Sequence, residues 1–574
     1  MNQRFALLLN LPLATFAAVI SAVPSRAQPP TIGQWTGVID WPIEVIHAAM
    51  LPTGKVMIWQ SWRESVGLWD PVTEQFSAAD LPLHNPFCSG HAWLPDGRLL
   101  IAGGHIENNV GEARANIYNP FTNTWADNVP NMPNVPSNPT PPSGNANKNG
   151  RWYPSATTLG NGDVLVLSGD MDYAGNTNPL PQIYQAATNS WSNLTTAYNV
   201  LPLYPRVFLA PNGSVYSLSD YGGNTERLNT AGTGSWTTVA NTHFDGRPNY
   251  GSAVMYDAGK VVYIGGGDSP TATAEIIDLN LPNPSWSYTA GNMAQPRRQH
   301  NATILADGTV LVTGGSSVSG FNTAAGQVAL AEIWDPATGL FTPVAPASSV
   351  YRGYHTTALL LPDGRVIMAG GNHDSPTYTE NRNAEIYSPP YLFNGPRPTV
   401  TAAPDTAELG HSFFVETPDA ASIADVTWIV PGSVTHAQDW TQRANHLEFT
   451  VVEGGLAITL PSNPNAAPPG YYMLFLINDN GVPSVAEWIH AALPGPGLPG
   501  DFNADGAVDA ADYVVWRTGL GTTYTVADYI DWQQHFGESS GGGSSTAVPE
   551  PDGTVLCLIG LICWIRQRRG AFVS

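Results

Sequence analysis

The chain has 574 residues, with 23 basic against 46 acidic side chains and a formal charge of −23. Charged residues make up 12% of it, about half the usual share, while 57 Gly, 50 Pro and 10% aromatics describe a turn-rich, β-rich protein. The acidic balance argues against a nucleic acid or an anionic membrane surface as partner, since it repels phosphate, and the length allows several cores.

Residues 1–27 place Arg4 before an apolar run from Phe5 to Val23 and end in Ser25-Arg26-Ala27. A basic start, an apolar middle and a small-x-small end make a signal peptide. The protein is therefore expected to be exported, to the extracellular space or the cell envelope.

From there a unit recurs: an apolar run, a short turn ending in Gly, and a second apolar run. The turns end at Gly54, Gly97, Gly162, Gly213, Gly259, Gly308 and Gly364. Asp-Gly and Asn-Gly between apolar runs signal hairpins whose two turn residues both take positive φ. Each hairpin leads to further runs closing on an aromatic, such as Ile117-Tyr118 to Trp125 and Ile183-Tyr184 to Trp191. Seven four-stranded units at a period of about 50 residues predict a seven-bladed propeller of the kelch type over 28–393.

The turns also provide a ruler. Counting eight residues back from the residue before each turn Gly gives Val45, Cys88, Tyr153, Tyr204, Tyr250, Gln299 and His355. If the blades superpose, these seven form one ring at one depth on the innermost strands. Tyr354 stands beside His355, and adjacent strand residues face opposite ways. The two can share a ligand only where that strand is irregular.

Residues 394–493 change character, with short strands at sandwich spacing: Arg397–Val400, Phe413–Val415, Val426–Val430, Leu447–Val451, Ala457–Leu460 and Tyr471–Ile477. They predict an Ig-like β-sandwich. Residues 494–538 hold a linker and then Asp501, Asn503, Asp505, Gly506, Asp509 and Asp512. Oxygens at loop positions 1, 3, 5, 9 and 12 with Gly at 6 match a calcium loop. This small helical module resembles a dockerin, which implies a cohesin-like partner, but its second half (522–536) lacks the calcium ligands. Residues 539–547 are a Gly/Ser linker. The tail 548–574 runs Val548-Pro549-Glu550-Pro551, then apolar residues to Ile565, then Arg566-Gln567-Arg568-Arg569. It resembles a PEP-CTERM sorting signal, which implies processing by an exosortase.

Two of the three cysteines, Cys557 and Cys563, lie in that tail. Cys88 is then the single cysteine of an exported protein and has no disulfide partner. It shares the ring with Tyr153 on the neighbouring blade. Two imidazoles with phenolate oxygens suit a tetragonal Cu(II) site. Beyond His355 the second histidine is open among His47, His91, His300, His373 and His436.

Phe87-Cys88-Ser89-Gly90, Arg151-Trp152-Tyr153-Pro154-Ser155, Tyr354-His355 leading to Pro362-Asp363-Gly364, Val434-Thr435-His436 with Gln442-Arg443, and Pro469 to Asn478 occur in this order. With them the chain resembles the galactose oxidase and glyoxal oxidase family of copper radical oxidases, whose second domain is an early-set sandwich. The resemblance implies Tyr153, His355 and His436 as equatorial copper ligands and Tyr354 as the axial ligand and general base. It also implies a Cys88–Tyr153 thioether that stores a radical, and a loop of the sandwich carrying His436 into the channel. It implies oxidation of an alcohol, an aldehyde or a carbohydrate end by O2 with release of H2O2. Where galactose oxidase has an indole over the cross-linked tyrosine, this chain has Met171 at about that place. Arg206 is the counterpart of the family's substrate-binding arginine, and Tyr250 is a further substrate-side residue. The competing reading is a non-catalytic carbohydrate-binding or adhesion propeller at the cell surface, which has no need of this residue set.

Overall fold

The computed structural model describes residues 31–135, 149–218, 221–244, 250–374, 378–494, 500–502, 506–520 and 524–539. The signal peptide, the sorting tail, and Asn503 and Asp505 of the calcium loop lie outside them. The chain divides into two compact units, 1–492 and 493–574.

In the first unit seven sheets of four to six strands succeed one another between Gln34 and Ser388, and we read them as the blades of the expected propeller. The second sheet, for example, runs Gly90–Trp93, Leu99–Ala102, Ala115–Asn119 and Thr124–Trp125. Its second strand is Leu99-Leu100-Ile101-Ala102 and that of the third sheet is Val164-Leu165-Val166-Leu167, both unbroken apolar runs. They are unbroken because both faces are covered. Leu99 and Ile101 pack on Met57 and Trp59 of the sheet before, while Leu100 packs with Val164 and Val166 of the sheet after. The ring closes through the chain start, since Gln34–Trp35 adds an outer strand to the last sheet with Trp35 opposite Tyr387.

The hairpin turns differ from the expected type. All seven turn glycines have φ between +74° and +84°, but the residues before them do not. At six turns the Gly amide donates to the carbonyl three residues back, as Gly97 does to Leu94 at 3.0 Å and Gly364 to Leu361 at 2.9 Å. These are three-residue loops with Gly alone in the left-handed position. Asp-Gly serves both turn types, so the dipeptide does not discriminate between them.

Buried arginines pin successive strands together. Arg297 and Glu332, on neighbouring segments of the sixth sheet, pair at 2.5 Å with both side chains at most 1% exposed. Arg297 also donates to the carbonyls of Gly314 and Leu330. Arg352 repeats the device with Glu385 and Gly370 in the last sheet. Removing one partner strands a buried charge. Arg297→Met should therefore cost about 3–5 kcal/mol in chemical denaturation, and an unchanged midpoint would contradict this role.

The sandwich has a five-stranded sheet in the order Thr406–Glu408, Glu487–Ala492, Gly470–Asn478, Ile423–Ile429, Ala444–His446, facing a three-stranded one. Its core stacks Trp428 on Tyr472 at 4.6 Å. The expected strand 397–400 is irregular. Pro396 and Pro398 remove ladder donors there, and Arg397 instead donates to the carbonyls of Pro483 and Ser484.

The second unit contains helices Ala510–Gly519 and Val526–His535. Asp509 caps the first, accepting from the Ala511 amide, while Asp512 accepts from the amides of Asp509 and Phe502. Asp501 accepts from the Gly506 amide at 2.9 Å.

Candidate active site

Six members of the ring share one backbone anomaly. Cys88, Tyr153, Tyr204, Tyr250, Gln299 and His355 have φ of 60°, 65°, 49°, 58°, 58° and 62°. A non-glycine residue in this region costs about 1–2 kcal/mol, so each must be held. Amides do part of that work: Tyr153 donates to the Cys88 carbonyl, Tyr204 to Tyr153 and Gln299 to Tyr250, at 2.8–2.9 Å. The kink also breaks strand alternation. At two of the kinks the preceding ring stacks on the ring at the kink, Trp152 on Tyr153 at 4.0 Å and Tyr354 on His355 at 3.9 Å. Tyr354 and His355 thus serve one site although they are adjacent in sequence.

His436 comes from the sandwich. Residues Ser433–Thr435 and Gln438–Asp439 form a hairpin that adds to the inner edge of the first sheet, with Thr435 opposite His47. Its two turn residues, His436 and Ala437, have φ of 50° and 67°, the pairing a tight hairpin of this hand requires. The Thr435 hydroxyl donates its proton to the Ile46 carbonyl at 3.0 Å and so accepts from His436 Nδ1 at 2.5 Å. The proton is therefore on Nδ1, and the Nε2 lone pair is free toward Cys88, whose Sγ is 4.0 Å away.

Four donors meet here. Tyr153 and Tyr354 share a hydrogen bond between their hydroxyls. The ring of His436 lies 4.5 Å from that of His355, 4.7 Å from Tyr153 and 5.2 Å from Tyr354. Both nitrogens of His355 are buried without a hydrogen-bond partner. Burial holds His355 down to about 3 and His436 well below its usual value, and it pushes Tyr153 and Tyr354 well above theirs. The imidazoles are therefore neutral with lone pairs to give, and the phenols lose their protons only beside a cation. This donor set fits a cupric ion. Among the described residues no three of His, Cys, Asp and Glu gather as a metal cluster, because half of these donors are tyrosines.

Hydrogen bonding sets aside two of the histidines left open by spacing, and ring contacts single out His436 among the rest. His47 Nε2 accepts from the Cys88 amide and His91 Nε2 faces His47 Nδ1 at 2.9 Å, so both lone pairs are engaged. His436 is the histidine whose ring adjoins both tyrosines, and His355 stacks on Tyr354 and meets His436.

Cys88 is fully buried in a cluster with Tyr153, Tyr204 and Trp440, and Phe87 and Trp152 pack against it. Trp152 covers one face of Tyr153, and Tyr204 stacks at 4.5 Å and 13°. Two near-parallel rings at these distances must lie on opposite faces. No face remains for Met171, which packs with Val135 and Leu180. The expectation that the stacked indole is lost is corrected: the residue before the tyrosine supplies it. Arg206 donates to the carbonyls of Tyr204 and Gly251 and so braces two inner strands.

On the tyrosine side, half-exposed Phe321 lies 4.3 Å from Tyr354 and 5.7 Å from Tyr250, and Tyr250 is 6.0 Å from Tyr354. Arg298 sits 5.2 Å over Tyr250 and pairs with Asp268. Phe321 and Arg298 escaped the sequence reading. Arg298 precedes a ring position, which was a usable signal, whereas Phe321 lies on a loop with no spacing rule.

Residues 397–491 match the family described as "Galactose oxidase-like, Early set domain". The chain is 28% identical to a galactose oxidase of Gibberella zeae, over 82% of this chain and 72% of that one. It is 28% identical to the aldehyde oxidase GLOX of Vitis pseudoreticulata, over 71% and 82% respectively. A fungal alcohol oxidase of the AA5 family, solved with copper, superposes with a TM-score of 0.71 at 26% identity, covering 80% of this chain and all of that one.

Proposed function

We propose that this chain, a relative by sequence and fold of the galactose and glyoxal oxidases, is itself a copper radical oxidase. Its reaction would be R–CH2OH + O2 → R–CHO + H2O2, or the matching oxidation of a hydrated aldehyde or a carbohydrate end. One observation carries the reading: Cys88, Tyr153, Tyr354, His355 and His436 come from four separate segments and meet in one buried cluster. A propeller used only for binding or adhesion gains nothing from a buried imidazole such as His355 with neither nitrogen partnered, which costs stability.

Tyr153, Tyr354, His355 and His436 would hold the copper. The metal would supply one redox equivalent and a Cys88–Tyr153 thioether tyrosine the other. Tyr354, hydrogen-bonded to Tyr153 and packed against half-exposed Phe321, would take the substrate's hydroxyl proton on Oη. Trp152 and Tyr204 exclude water from both faces of Tyr153. Phe321 and Tyr250 offer apolar ring surface to the substrate, and the Asp268-paired Arg298 offers hydrogen bonds. Phe321→Ala should raise KM about tenfold with little change in kcat, since a lost apolar contact is worth about 1–3 kcal/mol. An unchanged KM across alcohols, aldehydes and sugars would remove Phe321 from the substrate site. Copper-dependent H2O2 release from such a panel tests the function. Full copper loading with no peroxide and no cross-link would favour the binding propeller.

Around this core we propose the domain boundaries expected from sequence: export by 1–27, propeller 28–393, sandwich 394–493 and sorting by 548–574. For the second unit we propose calcium at Asp501, Asn503, Asp505, Asp509 and Asp512. Calcium should raise the helicity of the 500–539 segment in far-ultraviolet circular dichroism and chelator should reverse the change. Indifference to calcium would reject the loop.

A further inference from the structure

His47, on the inner strand His47–Met50 of the first sheet, and His91, on the inner strand Gly90–Trp93 of the second, lie beside the site, with the His47 ring 5.7 Å from that of His436. Both are fully buried, and all four of their ring nitrogens are partnered. The Cys88 amide donates to His47 Nε2 at 3.0 Å, His47 Nδ1 meets His91 Nε2 at 2.9 Å, and His91 Nδ1 meets Ser433 Oγ at 3.0 Å.

Only one proton arrangement satisfies this chain. Because Nε2 of His47 accepts, its proton is on Nδ1 and goes to His91 Nε2. The proton of His91 is then on Nδ1 and goes to the serine oxygen. Each ring thus has one accepting and one donating nitrogen, so the order is fixed from end to end. Trp59 stacks on His47 at 4.8 Å and 9° and holds its plane.

The ends of the chain matter. At Tyr153, Tyr204 and Gln299 the ring amide donates to the carbonyl of the preceding ring residue. At Cys88 an imidazole takes that carbonyl's part. At the far end Ser433 begins the hairpin that carries His436. One line of hydrogen bonds therefore joins the backbone of the cysteine, held at φ 60°, to the segment bearing a candidate copper ligand.

We propose that His47 and His91 are positioning residues that set Cys88 in register with Tyr153 and His436 so that the thioether can close. The inference rests on the cross-link proposed above. In that step the thiol S–H and a ring C–H of Tyr153 are lost and a C–S bond forms. The two electrons and two protons pass to O2, giving H2O2.

The test follows cross-linking itself and not turnover. Protein made without copper is given copper in air, and the Cys88–Tyr153 peptide, two hydrogens lighter, is quantified by mass spectrometry over time. His91→Phe and His47→Phe should slow cross-linking about tenfold, the factor a lost hydrogen bond supplies. Their copper stoichiometry should equal the parent's. His91→Gln keeps a donor and an acceptor and should recover most of the rate. Ser433→Ala, which empties almost no volume, should slow it in the same direction and covers the case in which a Phe variant does not fold. Parent-like rates in the folded variants, or a Gln variant no faster than Phe, would overturn the proposal. Absence of any cross-link in the parent protein would instead overturn the radical oxidase reading on which it rests.

Discussion

Cys88→Ser should abolish the cross-linked peptide and lower turnover at least about a thousandfold, the scale seen when a group that acts as part of a catalytic unit is removed. The fold should stand. Serine is slightly smaller than cysteine, and the cost is a buried hydroxyl in an apolar cluster, about 1–3 kcal/mol if unpartnered. That is less than the 5–15 kcal/mol or so of an ordinary domain. Copper should still bind, because Cys88 is not among the four donors gathered at the site. The variant thus separates the thioether from the metal: peptide mass, copper content and peroxide are each measured, and the first and third should vanish while the second stays. Normal peroxide release from Cys88→Ser would sink the assignment of Tyr153 as redox partner.

Tyr354→Phe should lower kcat by about 10²–10⁴, the usual worth of a positioned general base, with a smaller change in KM. Its ring would keep the packing against Phe321 and His355, so substrate should still dock. What disappears is the one hydroxyl that both touches Tyr153 Oη and belongs to the ring facing Phe321. In the metal-free protein burial pushes Tyr354 well above its usual value. It becomes a base only beside a cation, and the acid limb of the rate profile, where a base is silenced by protonation, should move or vanish in the variant. A kcat within a few-fold of the parent at every pH would mean that another group takes the proton.

The ring of Cys88, Tyr153 and His355 was legible from hairpin spacing alone because the blades reuse one turn geometry and one strand length. Even the misread turn type did no harm, since the count ran from the glycine and not from its φ. Sharing of one site by Tyr354 and His355 was legible only as a condition, and the left-handed φ of His355 meets it. The same kink explains the miss at Trp152. Its indole folds back on Tyr153 only because the backbone turns at residue 153, and residue spacing carries no trace of that. His436 could not be chosen from periodicity, because it arrives from another domain on a hairpin. It took the Thr435 hydroxyl, committed to Ile46, to show which of its nitrogens is free. Family resemblance had suggested the same histidine, but it put Met171 over the tyrosine, where local packing instead places Trp152.

The most direct test of the central claim is to load the purified protein with copper in air. Its visible and near-infrared absorption is then recorded, together with the mass of the peptide pair holding Cys88 and Tyr153. A radical oxidase should show the low-energy bands of an oxidised tyrosine beside copper and a linked pair two hydrogens lighter than its parts. A fully copper-loaded protein with neither the bands nor the linked pair would contradict the account.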